Sequence, residues 1–423
     1  MDIDELLSGS FQAAVAAVQA ETVLPPHLPY PPAGRTLVVG AGKASAAMAA
    51  TVESHWPDDA LLDGLVITRY GYAQPTRRIQ VIEAGHPLPD STGTAAAESI
   101  LRLVQSARPE DQVLALISGG ASSLLTLPAE GLALDDVAAV SRALLLSGAP
   151  IADINCVRKH LSRTLGGQLA EACKAPVHCL MLSDVTGDDP AVIGSGPFTP
   201  DPTTFADALV VLAHWQITPP PAIRHHLERG AAGAIPDTPK PGSSCFDRVE
   251  SCIIANGRTA LLGAADYFER QGIKAVILGD TVTGESREVA GAFAALAREI
   301  RQHGSPWPAP VALLSGGETT VTVRGSGRGG RNTEFALAMA VMLDGMEGVH
   351  VLAADTDGID GTEANVGAFI GPDTLAQGKA AGMDASAYLH DNDSYGYFAV
   401  LGALLMTGPT MTNVNDYRVV LVL

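Results

Sequence analysis

Short apolar runs, each closed by a glycine- or acid-rich turn and followed by a helical pattern, recur along the chain. Thr36-Leu-Val-Val39 leads into Gly40-Ala-Gly-Lys43 and a small-residue helix through Ala46–Ala50. Leu65–Thr68 and Ile79–Glu83 read as further strands, and Asp90 or Ser91 caps a helix to about Ser106. Val113–Ile117 is a continuous apolar strand running into Ser118-Gly-Gly-Ala-Ser-Ser123; helices are expected over 134–147 and 151–172. Val177–Leu182 is a strand ending in Ser183-Asp-Val-Thr-Gly-Asp-Asp189. Strands apolar on both faces indicate a parallel sheet covered by helices on each side. In such sheets a ligand lies at the carboxyl ends of the strands. The turns 40–43, 118–123 and 184–189 all fall there.

Two proline-rich segments then interrupt the alternation. Residues 194–204 read as a rigid loop, and 232–244 as the linker. A second alternation begins at Ser251–Ala255 and passes through strands at Lys274–Leu278, Val311–Val323 and Val349–Ala354, a helical stretch near 395–406 and a last strand at Tyr417–Leu423. The expected organisation is two domains, 1–240 and 241–423, both α/β: a Rossmann-like parallel sheet with helices on both faces, then a smaller α/β domain.

The most distinctive polar stretch is Gly325-Ser-Gly-Arg-Gly-Gly-Arg-Asn332, set between a strand and a helix. Glycines that tolerate positive φ, a helix N-terminus and two forked cations, Arg328 and Arg331, suit an oxyanion. Gly40-Ala-Gly-Lys43 is not a P-loop, because Leu37 and Ala44 stand where glycine and Ser/Thr are required. It approximates a dinucleotide fingerprint, but the second strand ends at Arg69 without the acid that binds a ribose. Lys43 instead places an ammonium at a helix N-terminus. Two acid-rich strand-end turns, Asp184/Asp188/Asp189 and Asp355/Asp357/Asp360, suit Mg²⁺ or a base; Asx turns are their ordinary alternative. Arg158 and Lys159 read as a solvated face, and His86 as a structural loop residue. No GxSxG elbow or HExxH helix is present.

Composition narrows the ligand. The 423 residues carry a net charge of −19, with 47% hydrophobic and 17% charged residues. An acidic surface disfavours nucleic acid and anionic membranes, so an anionic small molecule needs a local cationic pocket. The five cysteines form no CxxC pair, as expected of reduced thiols in a cytoplasmic protein. The N-terminus reads as an amphipathic helix, and no apolar run reaches the ~18 residues of a membrane span. Cationic glycine turns with carboxylates at strand ends are the parts of phosphoryl transfer.

Val39-Gly-Ala-Gly-Lys-Ala44, Gly85-His-Pro-Leu-Pro-Asp90, Leu116-Ile-Ser-Gly-Gly-Ala-Ser-Ser123, Ser183-Asp-Val-Thr-Gly-Asp188, Gly194-Ser-Gly-Pro197, Leu314-Ser-Gly-Gly-Glu-Thr319, Gly327-Arg-Gly-Gly-Arg-Asn-Thr-Glu334 and Thr356-Asp-Gly-Ile-Asp-Gly361 occur in this order. With them the chain resembles the bacterial and archaeal glycerate 2-kinases of the MOFRL type. The resemblance implies phosphorylation of D-glycerate on its 2-hydroxyl by ATP and Mg²⁺, giving 2-phosphoglycerate and ADP in an interdomain cleft. It places the family's important lysine on Lys43 and its arginine on Arg331, with Asp188 or Asp189 serving metal or base. The remaining candidates are Ser118, Gly119, Gly120, Arg328, Gly329 and Gly330 for substrate or phosphate, and Gly316, Gly317, Glu318, Asn332, Asp355 and Asp357 for the nucleotide. The family has also been labelled hydroxypyruvate reductase, which would need NAD(P)H. A non-catalytic anion-binding module is the third reading. A homodimer is left open.

Overall fold

The computed structural model describes residues 2–423. The chain forms two compact units, Val23–Ile254 and residues 2–22 with Ala255–Leu423. The units thus divide after Thr22 and after Ile254, where the sequence led to a single division at 240/241.

In the unit Val23–Ile254, strands β1 (Thr36–Ala41), β2 (Leu62–Arg69), β3 (Ile79–Ala84), β4 (Gln112–Ile117), β5 (Val177–Leu182) and β6 (Val249–Ala255) form one sheet in the order β3-β2-β1-β4-β5-β6. Pairing is parallel from β3 through β5. Every residue of β1 and β4 is buried, as expected of central strands covered on both faces. Ile100, Val104, Leu124 and Leu169 from flanking helices pack with Leu37, Val39, Val113 and Ala115. A separate cluster, including Val140, Leu144, Ile154, Val157, Phe205 and Leu227, holds the surrounding helices together.

The helix expected over 151–172 is two helices, Ile151–His160 and Gln168–Ala172. Gly166 and Gly167 adopt φ of 61° and 83°, and their N–H groups bond to the carbonyls of Ser195 and Gly196. The chain leaves the helix to pair with the Gly194–Pro197 loop, which local periodicity does not reveal.

The second sheet is mixed. β7 (Lys274–Glu285), β8 (Val311–Thr320), β9 (Val349–Asp355), β10 (Gly367–Ile370), β11 (Leu404–Leu405) and β12 (Asp416–Val422) are ordered β11-β10-β9-β12-β8-β7. The C-terminal strand β12 inserts antiparallel between β8 and β9. β11 takes the end of the expected helix near 395–406, which stops at Leu401. The N-terminal helix Ile3–Ala17 packs in this unit: Tyr417 Oη donates to Ser10 Oγ at 2.7 Å, and the Phe11 and Tyr417 rings lie 5.9 Å apart. Among the described residues no helix is long and apolar enough to cross a membrane.

Candidate functional site

In the parallel-sheet unit, register brings two predicted turns together. Gly40 pairs with Leu116 and Ala41 with Ile117, so the chain leaves β1 beside the chain leaving β4. The Lys43 N–H donates to Gly119 O at 2.9 Å, and the Ala44 N–H to Ser118 Oγ at 3.0 Å. Gly42 has φ 135°, and a Cβ there would sit 2.1 Å from Ser118 Oγ. Glycine is required by close approach as well as by the turn. Lys43 thus stands on a rigid turn just before the helix Ser45–His55, whose N-terminus favours anions.

The structure brings His86, read from the sequence as a structural loop residue, against the second turn. A Cβ on Gly120 (φ 86°) would lie 2.8 Å from His86 Nε2, so the imidazole covers the Ser118–Gly120 turn. The Gly85–Asp90 and Ser118–Ser123 motifs are separated in sequence by the helix Ser91–Gln105 and by β4, and the sheet brings their strand ends to one edge. Asp188 and Asp189 lie on the turn after β5. Asp189 Oδ1 accepts the Ala191 N–H at 2.9 Å, the Asx-turn alternative, and the side chain is exposed.

The second unit gathers Glu318, Arg331, Asn332, Asp355, Asp357, Asp360 and Asp416. Arg331 is already ion-paired: Nε to Asp416 at 2.6 Å, Nη1 to Glu318 at 2.7 Å and Nη2 to Asp355 at 2.8 Å. Burial alone would lower its pKa; Asp416, Asp355 and Glu318 outweigh burial and hold it well above the ordinary value. Asp416 also pairs with the fully buried Arg418 and accepts from Asn332 Nδ2 at 2.8 Å. Burial would raise the Asp416 pKa, but the two guanidinium groups hold it below the usual carboxylate range. Asp416 and Arg418 escaped sequence reasoning, because Asp-Tyr-Arg opening an apolar strand gives no hint of burial.

The glycine-rich stretch differs from the expected anion cradle. Gly325, Gly327, Gly329 and Gly330 are absent from the positive-φ residues. Their requirement is proximity: a Cβ would lie 2.1 Å from Asp391 O at Gly325, 2.3 Å from Asp393 Cβ at Gly327, and 2.3 Å from Ser394 Oγ at Gly329. The Ser326 and Arg328 N–H groups donate to the Asp391 and Asp393 carboxylates. The helix Arg331–Leu343 presents its first N–H groups to Asp360, which accepts from Asn332 N at 3.0 Å and Thr333 N at 2.8 Å. A carboxylate of the chain itself holds the place the sequence offered to an oxyanion. Arg328 is exposed, 3.5 Å from Glu363 and stacked 4.8 Å from the Tyr395 ring centroid. Gly316 and Gly317 lie within β8; Gly317 (φ 103°) would place a Cβ 2.2 Å from Val282 O of β7. Asp357 Oδ1 accepts the Ile359 N–H at 2.8 Å.

Fold and turns define a two-unit α/β protein whose parallel-sheet unit presents a cation at its strand ends, suited to a small anionic substrate. A family model described as a domain of unknown function (DUF4147) matches residues 6–228, and the MOFRL family model matches 311–416. The chain belongs to the glycerate kinase family. It is 39% identical to a D-glycerate 2-kinase of Thermotoga maritima over 95% of this chain and 94% of that protein. A crystal structure of glycerate kinase from Thermotoga maritima superposes with a TM-score of 0.88 at 38% identity, covering 100% of this chain and 99% of that one. A protein of Agrobacterium vitis named putative hydroxypyruvate reductase is 47% identical over 99% of this chain and 94% of that protein.

Proposed function

We propose that this chain transfers the γ-phosphoryl group of ATP to the 2-hydroxyl of D-glycerate, giving 2-phosphoglycerate and ADP. The observation that carries the reading is the Lys43 turn locked onto Ser118 and Gly119, within a chain similar along its length to glycerate 2-kinases. Phosphoryl transfer requires positioning and charge neutralisation more than covalent chemistry. Lys43 supplies a positive charge from a turn that needs no rearrangement, which is where electrostatic stabilisation is strongest. Ser118, Gly119 and Gly120 shape the adjoining surface. Arg331 contributes through its outermost pair: its partner Glu318 is 49% exposed, whereas Asp416 is fully buried, so Glu318 is the carboxylate a phosphoryl oxygen can replace.

Mg²⁺ fits the strand-end acids. No cluster of three metal-ligating side chains occurs among the described residues, and Mg²⁺ in kinases needs only one or two carboxylates beside phosphate oxygens and waters. Asp188 and Asp189 would hold it, and the ion supplies charge neutralisation on the phosphates.

The reductase reading draws on the name of the Agrobacterium vitis relative. Against it, β2 ends on Arg69, whose guanidinium lies 4.9 Å from the centroid of the Tyr72 ring, rather than on a ribose-binding acid. ADP release with D-glycerate and Mg²⁺, run beside NADPH oxidation with hydroxypyruvate, separates the readings. Phosphorus NMR of the product assigns carbon 2. Reductase turnover without ADP release would overturn the kinase.

A further inference from the structure

One cation of the parallel-sheet unit has no role in the site above. Helix Ile151–His160 carries Arg158 to a concavity that Pro87, Ser122, Ser123, Arg142 and Ser162 also line. Among the described residues, two arginines and no aspartate or glutamate face this space, in a chain whose net charge is −19. Arg158 is partly buried, its side chain makes no hydrogen bond or ion pair with the described residues, and burial alone pulls its pKa down. Its neighbour Lys159, by contrast, is paired with Asp201 at 3.5 Å. A guanidinium without a counter-charge, in a concavity that holds no carboxylate, is placed to gain from a bound anion.

A second observation points the same way. Ser122 Oγ lies 2.7 Å from Ser195 Oγ, which donates to Asn155 Oδ1 at 2.9 Å. Asn155 sits one helical turn before Arg158, and its buried Nδ2 has no acceptor among the described residues. The helix that carries Arg158 therefore also holds a buried amide donor that no described residue accepts. Ser122 and Ser123, which line the concavity, end the Ser118–Ser123 turn whose Gly119 carbonyl accepts the Lys43 N–H, and Pro87 follows His86.

We infer that Arg158 binds the carboxylate of the acceptor hydroxy acid and sets the requirement for an acid group beside the phosphorylated hydroxyl. The guanidinium fork matches a carboxylate bidentately, and a 2-hydroxy acid keeps its reacting oxygen next to that carboxylate. The inference rests on the kinase reading for the identity of the acid.

The test compares the full-length protein with Arg158→Met and Arg158→Lys. Arg158→Met should raise KM for D-glycerate about 10- to 100-fold and leave KM for ATP within about twofold. Arg158→Lys should fall between the two. The melting temperature of Arg158→Met should equal or exceed that of the wild type, because an unpaired charge is replaced by an apolar chain of similar length. Calorimetric titration with D-glycerate reads the site without turnover. Binding by the wild type that Arg158→Met loses supports the inference even where ADP release fails, and that failure would count against the kinase alone. Unchanged glycerate KM and affinity in Arg158→Met, or inorganic phosphate displacing glycerate from wild type and variant alike, would overturn it.

Discussion

Replacing Asp416 with Asn tests the charge network of the second unit most sharply. Asp416 is buried and receives donors on both oxygens: Arg331 Nε (2.6 Å) and Asn332 Nδ2 (2.8 Å) on Oδ1, Arg418 Nη2 and Thr319 N on Oδ2. All four of these neighbours are donors. An asparagine amide, whichever way it is turned, points its NH₂ at two of them. The change also leaves Arg418, which is 0% exposed, without its partner. Breaking a buried ion pair from one side costs about 3–5 kcal/mol, or roughly 6–20 °C in melting temperature for a unit of this size. Hydrogen exchange along β12 should speed up most. The sign with pH follows from the depressed pKa. Asp416 stabilises the fold above its unfolded value near 3.8, and this is lost as pH falls through the lower folded value. The wild type should therefore converge on Asp416→Asn in strong acid. A loss below about 1 kcal/mol at pH 7 would refute the network as a source of stability.

Lys43→Met should lower kcat/KM for ADP release about 100- to 1000-fold with an unchanged circular dichroism spectrum; a loss under tenfold would remove Lys43 from the chemistry. Gly327→Ala, whose Cβ would lie 2.3 Å from Asp393 Cβ, should destabilise the second unit by about 1–3 kcal/mol in urea denaturation. An unchanged midpoint would mean that proximity to Asp393 is not what requires glycine there. Burial raises the Cys156 thiol to about 11 and the Cys179 thiol to about 12. At pH 8 both should resist iodoacetamide while Cys252, the one cysteine not fully buried, is alkylated first, as peptide mass spectrometry reads directly.

Much of the candidate site was legible as places along the chain. Lys43, the Ser118–Gly120 turn and the acid turns all lie where their apolar strands end, because a strand buried on both faces must break into a polar turn at its edge. Their bonding was not legible. Arg331 carries the right charge, but three carboxylates from β8, β9 and β12 are brought to it by sheet order. Arg158 read as a solvated residue because helical periodicity fixes a face, not what that face meets. His86 read as a structural loop residue because its sequence neighbours do not show that it lies against the Ser118–Gly120 turn.

Two nearly identical stretches show where local information stops. Leu116-Ile-Ser-Gly-Gly120 and Leu313-Leu-Ser-Gly-Gly317 share composition, and the sequence makes both buried strands with a glycine pair. The first leaves its strand at Ser118 and turns at Gly120 under His86, whereas the second stays in β8 to Thr320, with Gly317 against the backbone of β7. Apolar pattern, charge and turn residues determined which segments are buried and where polar groups collect, since these depend on neighbours in the chain. Which glycine needs a positive φ, which acid meets which arginine and which cation remains unpaired were decided by strand order, because those energies belong to partners far apart in sequence.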